Sequence, residues 1–128
     1  MDNTLRDKKI LVAEDDESCR YLMELLLTDI GCSFEIAVNA LEAVSKMKMG
    51  KFDAVFMDLQ MPMMNGFDAM SAIRELDRTI PVIAMTGNAG AWEDGLCQDR
   101  GMSDYLIKPY TKEQVIEKLL KWTAVNKS

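Results

Sequence analysis

Histidine is absent from the 128 residues of this chain. A zinc site is therefore not expected, since imidazole is one of the metal's principal ligands. Cysteine is scarce: Cys19, Cys32 and Cys97 are odd in number, widely spaced and free of any Cys-x-x-Cys pattern. That argues against a disulfide framework and for reduced, buried thiols. Long apolar runs are missing too. None approaches the ~18 residues that suggest a membrane span, and the opening Met1-Asp2-Asn3-Thr4-Leu5-Arg6 is polar rather than basic-then-apolar. A cytoplasmic protein with no membrane contact is expected. Positive charge is in deficit, with 15 Lys and Arg against 21 Asp and Glu and a net charge of −6. A nucleic-acid interface needs a basic patch, so nucleic-acid binding by this chain is not expected.

The length suits one domain with its own core, and a single domain over 1–128, with its core at about 8–125, is expected. Eleven methionines suggest adaptable core filler with a minority at a partner surface. Short apolar runs alternate five times with helical patterns. The expected strands are Lys9–Ala13, Ser33–Val38, a run ending at Asp58, Pro81–Met85 and Asp104–Ile107. The expected helices are Ser18–Ile30, Asn39–Met49, Phe67–Leu76, a weak one near Ala91–Arg100, and Lys112–Val125. Such alternation predicts a parallel sheet covered by helices on both faces. Asn39-x-x-Glu42 and Thr111-x-x-Gln114 read as capping-box starts. Gly31, Gly50 and Gly101 read as left-handed helix ends. In the first helix Cys19, Leu22, Met23, Leu26, Leu27 and Ile30 form one apolar stripe directed at the sheet. Tyr21 and Leu25 fall on the opposite face, either as incidental exposed residues or as a docking patch.

Four chemical signals stand at strand ends, the edge where open α/β sheets hold their sites. Glu14-Asp15-Asp16 follows the first strand, Asp58 ends the third, Thr86 follows the fourth and Lys108-Pro109 the fifth. Carboxylates crowded together repel unless a cation is present, and a modest set of oxygen ligands suits Mg²⁺. A carboxylate nucleophile forming an aspartyl phosphate is a recognised covalent route. Phosphoryl transfer asks for positioning and charge neutralisation, which a metal and a lysine supply. Each residue alone also has an ordinary reading: a solvated loop, a turn aspartate, a strand-ending threonine, a loop lysine. The combination is what points to Mg²⁺-assisted phosphoryl transfer.

These segments resemble the receiver domain of two-component response regulators, over essentially the whole chain. Val12-Ala13-Glu14-Asp15-Asp16 is similar to the acidic loop. Met57-Asp58-Leu59-Gln60-Met61-Pro62-Met63-Met64-Asn65-Gly66 is similar to the phosphoacceptor segment, in the form found in receivers attached to hybrid histidine kinases. Pro81–Ala89 resembles the switch-threonine segment, and Gly101–Pro109 the lysine segment. The resemblance implies a flavodoxin-like, doubly wound (βα)5 fold with a five-stranded parallel sheet in the order 2-1-3-4-5. It implies that Asp58 accepts the phosphoryl group and that Glu14 and Asp15, with Asp58 and the backbone carbonyl of Gln60, hold Mg²⁺. Thr86 and Lys108 would bind the phosphoryl oxygens, and Tyr105 would turn inward with Thr86. Such a module catalyses only its own phosphorylation and dephosphorylation. Its phosphohistidine donor, a histidine kinase or a histidine phosphotransfer protein, must lie outside this histidine-free chain. A downstream effector would meet the face made by the fourth helix, fifth strand and fifth helix. Gly87 and the glycine-bearing fourth helix depart from the family pattern and loosen that region.

Other classes fit less well. A phosphatase similar to haloacid dehalogenases carries a second aspartate two positions after the nucleophile, where this chain has Gln60. A flavin carrier needs a phosphate-binding loop where Glu14-Asp15-Asp16-Glu17 would repel phosphate. A degenerate receiver that serves only as an interaction module is the remaining alternative.

Overall fold

Five apolar runs of four or five residues form the strands β1 Lys9–Ala13, β2 Ser33–Ala37, β3 Ala54–Asp58, β4 Val82–Thr86 and β5 Asp104–Ile107. The computed structural model describes residues 5–59, 66–93 and 95–124. All neighbouring strands pair in parallel, in the order β2-β1-β3-β4-β5. This is the expected doubly wound arrangement. Every residue of β3 and β4 is buried, as continuous apolar strands covered on both faces should be.

Strand alternation divides the core into two layers. On one face Ile10, Val12, Phe56, Ile83 and Met85 pack with Met23 and Leu27 of α1 (Glu17–Ile30) and with Val115 and Leu119 of α6 (Lys112–Leu119). On the other face Leu11, Ala13, Val55, Met57 and Ala84 pack with Ala43 and Met47 of α2 (Ala40–Met49) and with Met70 and Ile73 of α3 (Gly66–Leu76). Cys32 and Cys97 are buried, and neither is in a disulfide.

The caps explain where the helices begin. Asp16 caps α1, its carboxylate accepting from Cys19 N at 2.9 Å. Thr111 and Gln114 form the full reciprocal capping box of α6. At α2, Asn39 accepts from Glu42 N at 2.8 Å, but the Glu42 carboxylate reaches one residue further back, to Val38 N. Gly31 and Gly101 end their helices with φ of +101° and +96°. Gly50 does not follow the expectation: its φ is −150°, an extended conformation open to any residue.

Three further expectations are corrected. The fourth predicted helix is two single turns, α4 (Gly90–Glu93) and α5 (Leu96–Asp99), separated near Gly95 at φ +81°. A left-handed residue cannot continue a right-handed helix. The fifth predicted helix is α-helical only to Leu119 and winds on as a π-helical stretch from Leu120 to Ala124. Leu22 also leaves the predicted stripe and lies in solvent. At 3.6 residues per turn it stands about a third of a turn from the Met23–Leu27 line, on the rim of the buried face.

Candidate functional site

The sheet places Glu14, Asp58, Thr86 and Lys108 together at its carboxyl edge. Glu14 directly follows β1 and donates its N–H to Ala37 O at 3.0 Å. Asp58 is the last residue of β3 and pairs in register with Met85, the neighbour of Thr86. Lys108 follows β5, with its N–H on Thr86 O at 2.8 Å. The peptide bond from Lys108 to Pro109 is cis. Glu14, Asp15, Asp58, Thr86 and Lys108 line one cleft of about 410 Å³.

Lys108 is the electrostatic centre of this cleft. Its Nζ lies 2.9 Å from Glu14 Oε1 and 3.5 Å from Asp58 Oδ2. Both carboxylates are buried, Glu14 at 1% and Asp58 at 5% exposure. Burial alone lowers an ammonium pKa, but the Glu14 and Asp58 carboxylates outweigh it and hold Lys108 above its usual range. Glu14 Oε1 takes the Lys108 ammonium as its partner, and Glu14 Oε2 accepts from Asp16 N at 3.2 Å. The carboxylate oxygens of Glu14, Asp15 and Asp58 lie within 4.8 Å of one another. Three hard oxygen donors at that spacing fit a small divalent cation.

The acidic loop is held open by a residue that the sequence reading passed over. Arg20 Nη1 donates to the carbonyls of Asp15 at 2.6 Å and Glu14 at 3.3 Å. The loop is thus fixed by a cation on its backbone, which leaves the carboxylates of Glu14 and Asp15 for other partners. The available signal was a basic residue one turn into the helix that follows the acidic run. Asp16 does not join Glu14 and Asp15 in the cluster. It caps α1, and that hydrogen bond from Cys19 N lowers its pKa.

Thr86 is placed in the cleft, but its hydroxyl is engaged within its own loop, accepting from Asn88 N at 3.1 Å. Tyr105 is half-buried and stacks on Trp92, with ring centroids 4.9 Å apart. Lys118 Nζ stands 5.7 Å from the centre of the same tyrosine ring. Thr86 and Tyr105 therefore occupy adjacent strands. Gln60, expected to offer its carbonyl, lies outside the described residues. Tyr21 and Leu25 are exposed at 63% and 50%, and Leu22 adds to them. They lie on α1, with a groove of about 700 Å³ that Phe34 of β2 also lines.

This geometry has close counterparts. The family model for the response regulator receiver domain matches residues 10–120, and the chain belongs to that family of two-component signalling domains. It is 40% identical over 106 residues to a protein named transcription factor SKN7 from Candida albicans, covering 83% of this chain and 19% of that one. It is 35% identical over 127 residues to hybrid signal transduction histidine kinase B of Dictyostelium discoideum, covering 89% of this chain and 6% of that one. The chain thus spans about a fifth or less of the length of these relatives. Among solved structures, the receiver domain of a sensor histidine kinase from Pseudomonas aeruginosa aligns with a TM-score of 0.85 at 29% identity, over 91% of this chain and 98% of that one. That structure holds a magnesium ion in its active-site cleft. Domains of this family pair with histidine kinases or phosphotransfer proteins.

Proposed function

We propose that this chain, as one receiver domain, takes a phosphoryl group from a phosphohistidine onto Asp58 in a Mg²⁺-dependent reaction and relays a signal through the resulting change of conformation. The observation that carries this reading is Lys108 bridging two buried carboxylates at one cleft. A lone buried carboxylate is costly, and two sharing one ammonium carry an excess negative charge that a divalent cation would neutralise. Glu14, Asp15 and Asp58, together with the Gln60 carbonyl, would hold Mg²⁺, which neutralises charge on the phosphoryl oxygens when bound. Lys108 and the Thr86 hydroxyl would bind those oxygens. Thr86 would leave Asn88 to do so, and Tyr105 would follow it inward, disturbing the stack on Trp92. Phosphorylation then biases an equilibrium between two arrangements of these side chains.

The donor is a histidine kinase or a histidine phosphotransfer protein. Its docking surface is the exposed apolar face of α1, with Tyr21 and Leu25 at its centre. An effector would read the face formed by α4, α5, β5 and α6. The function is that of a signalling module located in the cytoplasm, with no nucleic-acid contact of its own.

Intact mass after incubation with a small phosphodonor and Mg²⁺ tests the reading. One added phosphoryl group is expected on the wild type, and none on Asp58→Asn or in EDTA. No adduct from either a small donor or a phosphohistidine donor would replace this reading with that of a degenerate receiver acting only in protein interactions.

A further inference from the structure

Among the described residues, the buried hydroxyl of Tyr110 has no hydrogen-bond partner, and the buried Glu14 Oε1 has the Lys108 ammonium at 2.9 Å. One is an acceptor and the other a donor. Leaving a buried hydroxyl unsatisfied costs roughly 1–3 kcal/mol, so Tyr110 calls for an explanation. They lie in the same corner of the molecule. Tyr110 is two residues beyond Lys108, whose ammonium touches Glu14. Tyr110 packs in the core layer that contains Ile10 and Val12. Alternation along β1 sends the side chain of Glu14 to that same face, one step beyond Val12. Burial first, and then the charges of Glu14, Cys19 and Asp58, push the Tyr110 phenol well above its usual range.

We propose that the Tyr110 hydroxyl is the reserve donor for Glu14, hydrogen-bonding its carboxylate, directly or through one buried water, once Lys108 is drawn away. Lys108 satisfies Glu14 by charge in the arrangement seen here. A divalent cation beside Glu14 repels the ammonium, and a phosphoryl group on Asp58 attracts it. Either event takes the ammonium from Glu14 Oε1, while Glu14 Oε2 keeps its bond from Asp16 N. Tyr110 then fixes the carboxylate that faces the metal. It is a positioning residue, acting through Glu14. The proposal rests on the Mg²⁺ reading of this cleft.

The test is Tyr110→Phe, which removes the hydroxyl and keeps the ring. Mg²⁺ affinity is measured by calorimetry with magnesium chloride alone, and the melting temperature is taken in EDTA. Tyr110→Phe is expected to weaken Mg²⁺ binding roughly three- to tenfold, the worth of one hydrogen bond. Its melting temperature without metal should be unchanged or higher, because an unsatisfied group has gone. A merely structural tyrosine would move the two readings together. Combined with Glu14→Gln, Tyr110→Phe should add less than a twofold change, since the two act as a unit. Unchanged Mg²⁺ affinity in Tyr110→Phe, or independent effects in the pair, would overturn the proposal while the metal site stands. A wild type that takes up no Mg²⁺ would remove the reading of the site and the proposal together.

Discussion

Lys108 touches two carboxylates that would otherwise repel each other in a buried place. Replacing it by methionine keeps most of its bulk and removes the charge. In EDTA, Lys108→Met should lose about 1–3 kcal/mol in urea unfolding, the cost of a buried charge left without its partner. Added Mg²⁺ should recover more stability in the variant than in the wild type, because the metal takes over the missing neutralisation. An equal response to Mg²⁺ in both proteins would show that Lys108 and the metal do not share the same carboxylates. Gly87 gives a contrasting case. It stands beside Thr86 at the cleft, and a Cβ there meets nothing within 4 Å. Gly87→Ala should change stability by about 0.5 kcal/mol at most.

The pair of short helices α4 and α5 is tied down at three points. Trp92 stacks on Tyr105. Gln98, with its amide oriented to satisfy both ends, accepts from Trp92 Nε1 at 3.0 Å. Beyond α5, Arg74 of α3 donates twice to Gly101 O, at 2.7 and 3.2 Å. Gly95 between them sits at φ +81° with open space around its Cβ position. Gly95→Ala should therefore cost about 1–2 kcal/mol from the left-handed backbone alone. A neutral result in thermal unfolding would mean that the segment refolds as one continuous helix.

Strand β5 is joined to α6 and its π-helical extension in a different way. The buried Asp104 carboxylate accepts from Trp122 Nε1 at 2.8 Å, Lys118 Nζ at 3.1 Å and Tyr105 N at 2.8 Å. Burial raises the Asp104 pKa, but these donors outweigh it and the net shift is downward from 3.8. A depressed carboxylate stabilises the fold above its unfolded value, and that contribution is lost as pH falls through the folded one. Asp104→Asn should cost about 1–3 kcal/mol near neutrality. The gap to wild type should narrow as pH is taken below 3.8. A gap that stays constant with pH would show that the carboxylate charge contributes nothing to the joint.

At the level of the domain, the cleft at Asp58 and the apolar face of α1 are neighbours, because α1 starts directly behind the acidic loop. A partner seated on Tyr21, Leu22 and Leu25 would bring its phosphohistidine to Asp58. Leu25→Asp should slow phosphotransfer from a histidine phosphotransfer protein by about tenfold or more, the loss expected of one central apolar contact. Phosphorylation by acetyl phosphate should be unaffected, since a small donor needs no docking surface. Equal loss in both assays would place the effect in the cleft rather than on the surface.

The linear chain determined most of this architecture by itself. Short apolar runs alternating with helical periods leave a parallel sheet with covered faces as the natural packing. Strand ends carrying Glu14, Asp58, Thr86 and Lys108 must then meet at one edge, because parallel strands all point the same way. Local hydrogen bonding was legible for the same reason: Asn39 and Thr111 cap helices through residues three positions away. What tertiary structure alone decided depends on partners remote in sequence. Lys108 reaches Glu14 across 94 positions, a pairing that no local pattern encodes. The weakness of the fourth helix was legible in its glycines, but not that Gly95 turns left-handed and splits it, and the exposure of Leu22 depends on how far the sheet reaches around α1. Tyr110 looks in the sequence like one more aromatic beside a proline. Its hydroxyl is left without a partner only because packing buries it, which the sequence does not show.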